Sequence, residues 1–225
     1  MRTTAPDVVA LQSGYRQVTG VVSRLSPRDF LRPTLTDDWC VSDVLFHLLL
    51  DAQRTLVTFA TPSAAVPDVD AVTYWCLRSD ADSADGAAHA RYVRLSAAAY
   101  RSPAGLVQQW TDTSEAALRA ACAADPAGCV ATQGHELTVA DFVGTLVVEA
   151  TIHYLDLTAH LPAAAPADPV GLIVVRHTME ALLQAPLPSS WSDLKCALVG
   201  SGRQFLEASD RQELGDAAGR FPLIR

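Results

Sequence analysis

Between Thr138 and His160 runs a stretch of helical period whose apolar stripe is interrupted by two residues that are costly in a core, Glu149 and His153. Four residues apart on a helix, they project from one face, one turn above each other. At about 100° per residue, Phe142, Leu146, Ala150 and Leu157 fall within about 60° of His153, and Glu149 lies among them. A carboxylate and an imidazole on a buried stripe are expensive unless they are paired or bound to a metal. Any fold of this chain must therefore accommodate two good metal ligands inside a core.

The rest of the chain reads as helices separated by Pro-, Gly- and Asp-rich breaks. A first helix is expected from Pro6, a favourable early position, to Leu25, and a second from Cys40 to Ala60, stopped by Thr61-Pro62. Residues 62–85 read as a loop anchored by Tyr74-Trp75. A third helical region, 87–124, is broken or kinked at Pro103, because proline removes a donor and clashes with the preceding turn. A turn at Asp125-Pro126-Ala127-Gly128 precedes the long helix, which Pro162 stops. Beyond an Ala/Pro linker at 163–169, the pattern predicts a helix over 170–184. A hairpin follows, formed by 194–199 and 204–208 around Gly200-Ser201-Gly202.

Two helix starts resemble each other. In Leu137-Thr138-Val139-Ala140-Asp141, Thr138 can cap the helix while Asp141 sits at its third position. Trp39-Cys40-Val41-Ser42-Asp43 has the same outline, with Cys40 in the capping place. From that second start, His47 lies four residues beyond Asp43, on the side of Val44, Leu50 and Asp51, and Arg54 follows at i+7. Bundling the two helices would assemble a His/Glu/His site from facing helices, a common way for bundles to hold metals.

At 225 residues, nearly half of them apolar, the chain can build a sizeable core as one large domain or as a domain with an appendage. A net charge of -8 argues against nucleic acid or an anionic membrane as the main partner. No uncharged apolar run approaches the roughly 20 residues of a membrane span, and the start, with Arg2, Asp7 and Arg16, lacks the pattern of a secretory leader. The five cysteines, Cys40, Cys76, Cys122, Cys129 and Cys196, form no C-x-x-C pair and are odd in number, so neither a disulfide framework nor a zinc ribbon is indicated. The expectation is a cytoplasmic enzyme with reduced thiols, monomeric or homodimeric.

The combination of Trp39 with Val41-Ser42-Asp43-Val44-Leu45-Phe46-His47-Leu48, of Thr138-Val139-Ala140-Asp141-Phe142, and of Glu149-x-x-x-His153-x-x-Asp156-Leu157 resembles the DinB-like helical-bundle metalloenzymes. Within them it is most similar to the branch typified by mycothiol-dependent maleylpyruvate isomerase. The resemblance covers residues 5–160, with a less specific likeness in the tail. It implies a mainly α chain: a DinB-like four-helix bundle over residues 1–162, and a small C-terminal α+β extension, helix plus hairpin, over 163–225. Carried over by position, it makes His47, Glu149 and His153 the ligands of a divalent metal, most often zinc. Asp156 matches the acidic residue of the family's His-x-x-Asp motif. The chain departs from the family at Cys40, where Thr is preferred, and at His135 just before the long helix, and neither change removes a ligand.

Two histidines and one carboxylate leave a fourth tetrahedral position open, the mark of a catalytic zinc rather than a structural one. There a thiol or water loses its proton near neutral pH. The resemblance implies a low-molecular-weight thiol such as mycothiol at that position, its sulfur attacking a small electrophile. The sulfur either stays (S-transfer) or leaves after bond rotation (cis-trans isomerisation). Arg54 and Asp156 are the candidate catalytic residues. Arg54 either steers a carboxylate or sugar hydroxyl towards the metal or pairs with Asp51 or Asp43 on a wet surface. A non-catalytic metal- or ligand-binding module and a hydrolase or lyase using water are the alternatives. Cys40, at a helix N-terminus, reads either as a reactive thiol or as a half-buried cap, the second being the simpler. His89, His135 and His177 read as ordinary surface or helix-end residues, and His160, two turns beyond His153, as the one further site candidate. Arg203, Arg220 and Arg225 are the tail cations that could close over the site.

Overall fold

The computed structural model describes residues 6–76, 84–162 and 164–224. Among them are eight α-helices and a small sheet. The helices are α1 (Pro6–Val22), α2 (Val41–Phe59), α3 (Ala84–Ala98), α4 (Pro103–Ala123), α5 (Val139–Thr158), α6 (Pro169–Leu183), α7 (Asp193–Gly200) and α8 (Ala208–Leu214). Four of them close a ring of contacts: α1 packs on α4 and α5, and α2 packs on α4 and α5. Their apolar faces meet in one core, where Leu11, Tyr15 and Val18 of α1 join Leu45, Leu48 and Leu49 of α2 and Leu106 and Trp110 of α4. Trp110 is fully buried, and its indole N–H still finds an acceptor, donating to the Thr19 hydroxyl at 2.9 Å.

Helix α5 sits against α1, α2 and α6, and every residue from Phe142 to Tyr154 is buried. Its apolar stripe is therefore not one face of a surface helix; the middle of the helix has no solvent face at all. Both similar starts behave as their sequences predict. Thr138 accepts from the Asp141 N–H at 3.0 Å, and the Asp43 carboxylate accepts from the backbone N–H of Cys40 at 2.9 Å. Asp141 does a second job by accepting from the Ala71 N–H, which ties the segment after α2 to the start of α5.

The break at Pro103 takes the form of a new helix start, with the proline in the first turn of α4 where its missing N–H costs nothing. Two segments differ from expectation. Residues 62–63, read as loop, and 129–138, given no element between the turn at 125–128 and the cap at Thr138, form an antiparallel sheet of β1 (Pro62–Ser63), β2 (Cys129–Thr132) and β3 (His135–Thr138), in that order. Gln133 and Gly134 both take positive φ, 51° and 82°, which suits a two-residue hairpin loop. The pairing of Val130 with Leu137 turns both inward.

The expected C-terminal hairpin is not there. Leu194 to Val199 lies within α7, whose start is capped by Ser192, and Cys196, Ala197, Val199 and Gly200 form its buried side. That spacing suits a helix, and the apolar run had the length of a strand. Residues 204–207 join no ladder, and Phe205 there is 90% exposed. Two glycines let the C-terminal helices approach closely. A Cβ on Gly171 of α6 would lie 2.4 Å from the Thr151 hydroxyl of α5, and one on Gly200 of α7 would lie 2.7 Å from Met179 Sδ of α6.

Candidate metal centre

Helix α2 contributes His47, and α5 contributes Glu149 and His153. One ligand atom from each lies within 4.8 Å of the others, and all three residues are buried. His153 Nε2 lies 3.1 Å from Glu149 Oε2. The two imidazoles meet nearly edge to face, with ring centres 4.6 Å apart, and the Trp39 ring covers His47 from the segment before α2. Zinc bonded to such atoms at about 2.0–2.1 Å would hold them roughly 3.3–3.5 Å apart. The 3.1 Å pair already lies close to that spacing, and the upper bound of 4.8 Å exceeds it by little more than about 1 Å. The donor set and its spacing therefore fit a divalent cation.

His153 is oriented from behind. Its Nδ1 lies 2.9 Å from Asp156 Oδ2, which leaves Nε2 aimed at Glu149 and His47. A histidine that gives one nitrogen to a carboxylate and the other to a metal is the usual arrangement in metal sites. Burial alone would lower the His153 pKa, but the bonds from Asp156 and Glu149 outweigh it and raise the value to about 9.

Asp156 is itself fully buried and accepts from several sides: Arg203 Nε at 3.0 Å, Arg203 Nη2 at 2.9 Å and the Thr36 hydroxyl at 3.0 Å, besides His153. Burial pushes its pKa up, yet the bonds and charges of His153 and Arg203 hold it well below the usual carboxylate range. Asp156, named from the sequence as a candidate catalytic residue, thus stands behind His153.

Arg54 lies beside His47. Its Nη2 is 2.9 Å from Asp51 Oδ1, and Asp51 Oδ2 is 3.7 Å from His47 Nε2. The expected pairing with Asp51 is found, but Asp51 is 2% exposed, so the pair does not sit on a wet surface. With the Gln133 amide turned so that its oxygen faces the guanidinium, Arg54 also donates to it at 2.8–3.0 Å, and the amide nitrogen donates to the Tyr74 hydroxyl. Asp43, the other proposed partner, is occupied at the cap of α2.

The remaining sequence candidates sort by where their elements end. His160 lies past the end of α5 and is exposed, so the helical spacing that aligned it with His153 does not extend to it. His135 sits 3.4 Å from Asp68, and His177 is exposed on α6. His89 is exposed on α3, as read, yet its Nε2 lies 3.3 Å from His47 Nδ1. Of the tail cations, Arg203 reaches Asp156, Arg220 donates to the carbonyls of Leu182 and Leu183, and Arg225 lies outside the described residues. Cys40 is set against reactivity, because burial and its bond to Asp43 raise its pKa. Thr36 and His89 carried no signal as site residues, since each is brought in by tertiary packing, whereas Asp51 follows His47 by four residues on α2 and was named from the sequence as a partner of Arg54.

The model of one protein family, the mycothiol maleylpyruvate isomerase N-terminal domain, matches residues 11–158. The chain belongs to this family. The matched domain is of the DinB-like branch, as the motifs on α2 and α5 suggested. No curated protein matches the chain, and neither does any solved structure. The mycothiol maleylpyruvate isomerase N-terminal domain match contains His47, Glu149, His153 and Asp156 and stops at the end of α5, so Arg203 lies outside it. Among the described residues, no helix is long and apolar enough to cross a membrane.

Proposed function

We propose that this chain is a metal-dependent enzyme, zinc being the expected ion, that activates a low-molecular-weight thiol such as mycothiol for attack on a small electrophile. The observation that carries the reading is the convergence of three buried ligand groups from two helices, with Asp156 behind one of them. Membership of a family named for a mycothiol-dependent isomerase supports the choice of thiol. In this reading α1, α2, α4 and α5 form the bundle, residues 1–162, and 163–225 form an extension upon it.

His47, Glu149 and His153 would hold the ion. Its charge would let a thiol at the remaining position lose its proton near neutral pH. The protein's own groups do the rest. Asp156 keeps the His153 proton on Nδ1, so that Nε2 can act as a ligand. Trp39, Leu48 and the apolar surface of α5 exclude water, which strengthens every charge interaction inside. Arg54, held by Asp51 and with 26% of its side chain open to solvent, supplies a fixed positive charge beside His47 for an anionic group of the substrate. The sulfur then bonds to an electrophilic carbon. In S-transfer that bond stays while a leaving group departs with its electron pair or the opened π pair takes up a proton; in isomerisation the π pair moves onto the conjugated carbonyl, the adduct rotates about the former double bond, and the pair returns as the sulfur leaves with its own electrons as the thiolate.

The test is to incubate the zinc-loaded protein with mycothiol and maleylpyruvate, and separately with other small electrophiles. Thiol-dependent consumption, lost in Glu149→Ala, is the expected result. Turnover that proceeds equally without thiol would overturn the proposal and favour water as the nucleophile.

A further inference from the structure

Among the described residues beyond α5, Arg203 reaches the site. Arg203 stands in the turn after α7, and this turn is well fixed. Gly202 takes φ +76°, the Arg203 backbone N–H donates to the Leu198 carbonyl at 2.8 Å, and the N–H groups of Leu223 and Ile224 both donate to the Gly200 carbonyl, at 2.8 and 3.1 Å. From there the guanidinium forks onto Asp156, Nε to Oδ1 at 3.0 Å and Nη2 to Oδ2 at 2.9 Å. Its third nitrogen, Nη1, donates to the Ser201 carbonyl at 2.8 Å.

Arg203 is turned onto the protein itself and is more enclosed than Arg54. All three of its nitrogens already bond within the protein, and its side chain is only 15% exposed. A bidentate fork also fixes the plane of the carboxylate it holds, which a point charge does not. Asp156 has Oδ2 directed at His153 Nδ1, so fixing that plane fixes the direction of the imidazole.

We infer that Arg203 is the positioning residue of the metal site, acting through Asp156 to lock the orientation of His153, so that the segment after α5 completes a centre whose ligands all lie in the family domain. Thr36, from the segment before α2, steadies the same carboxylate oxygen. The inference rests on the metal reading for its consequence and on the hydrogen-bond geometry for its mechanism, and the two are tested separately.

The experiment uses the full chain as wild type, Arg203→Met and Arg203→Lys, with folding checked by far-ultraviolet circular dichroism. Two quantities are measured: zinc affinity by competition with a chromophoric chelator, and the hydrogen-bonded Nδ1 proton of His153 by NMR of the metal-free protein with labelled histidine. The expected result is a zinc dissociation constant roughly 10-fold or more higher in Arg203→Met, in the range that orienting partners of ligands command. The Nδ1 proton then exchanges too fast to be seen. Arg203→Lys, which keeps the charge without the fork, recovers part of both. If Arg203→Met does not fold, the lysine variant decides by the same two measurements, with a smaller shift expected. A variant that keeps the proton and binds zinc within about twofold of wild type overturns the inference, as it falls well short of that range. Wild type that binds no zinc refutes the metal reading instead, and the proton still decides the role of Arg203.

Discussion

Asp156→Asn removes the charge on which four donors converge, and its cost can be worked from the contacts. The aspartate has no exposed surface and accepts from Arg203 twice, from His153 and from Thr36. Asparagine offers one acceptor oxygen and places an NH2 group against donors at the other position. Removing one partner of a buried charge pair costs about 3–5 kcal/mol. Arg203 keeps its bond to Ser201 and some solvent, so the lower end, about 3 kcal/mol, applies. For a chain of this size that is a fall of about 6–12 °C in melting temperature. The sign with pH also follows. The carboxyl is held below its ordinary 3.8, so it stabilises the fold above that value and the contribution fades as pH falls towards the folded pKa. The gap between wild type and Asp156→Asn should therefore be full at pH 7 and shrink below pH 3.8. Urea titrations of the metal-free proteins across this range measure it. A gap under about 1 kcal/mol at pH 7, or one that widens on acidification, would refute the reasoning.

The His153 imidazolium, held up to about 9 by its two carboxylates, stabilises the metal-free fold fully below the ordinary histidine value of 6.5 and loses that contribution as pH rises through 9. With a chelator present, the melting temperature should fall between pH 6.5 and 9, and the fall should be largely absent in His153→Gln; an equal fall in the variant would contradict the assignment. Gly200→Ala puts a methyl 2.7 Å from the sulfur of the fully buried Met179, so it should destabilise by about 1–3 kcal/mol through overpacking of α6 on α7. A chemical denaturation midpoint unchanged from wild type would show that the two helices separate freely. His89→Ala should weaken zinc binding less than loss of any of the three ligands, since His89 is exposed and touches the group through His47 Nδ1; an equal loss would make His89 a ligand.

The helices and the shared face of Glu149 and His153 were legible because both rest on local rules, and His47 joins them from a second, similarly started helix. The capping signatures at Thr138 and Cys40, the breaks at Pro103 and Pro62, and the i,i+4 spacing of Glu149 and His153 are all written within one turn or two of the chain. Where the reading went astray, the deciding forces were tertiary. The run Leu194 to Val199 has the length and apolarity of a strand, and it is a helix because Ser192 caps it and α6 covers one side. The strands β2 and β3 are four residues each and turn on Gln-Gly, a weaker hairpin signal than Asn-Gly, and only the pairing of Val130 with Leu137 under the helices shows why they form. His160 looked aligned with His153 by periodicity, but α5 ends at Thr158. His89 and Arg203 arrive from elements with no sequence relation to the motif, and no spacing rule reaches them.

The central claim is that His47, Glu149 and His153 form one metal site. Its most direct measurement is the divalent metal content of the protein purified without chelator, together with zinc titration of wild type and of His47→Ala, Glu149→Ala and His153→Ala. The account predicts one ion per chain in wild type and loss of tight binding in each variant whose fold is retained. Wild type without a divalent metal that also fails to take up zinc, or variants that bind as tightly as wild type, would contradict it.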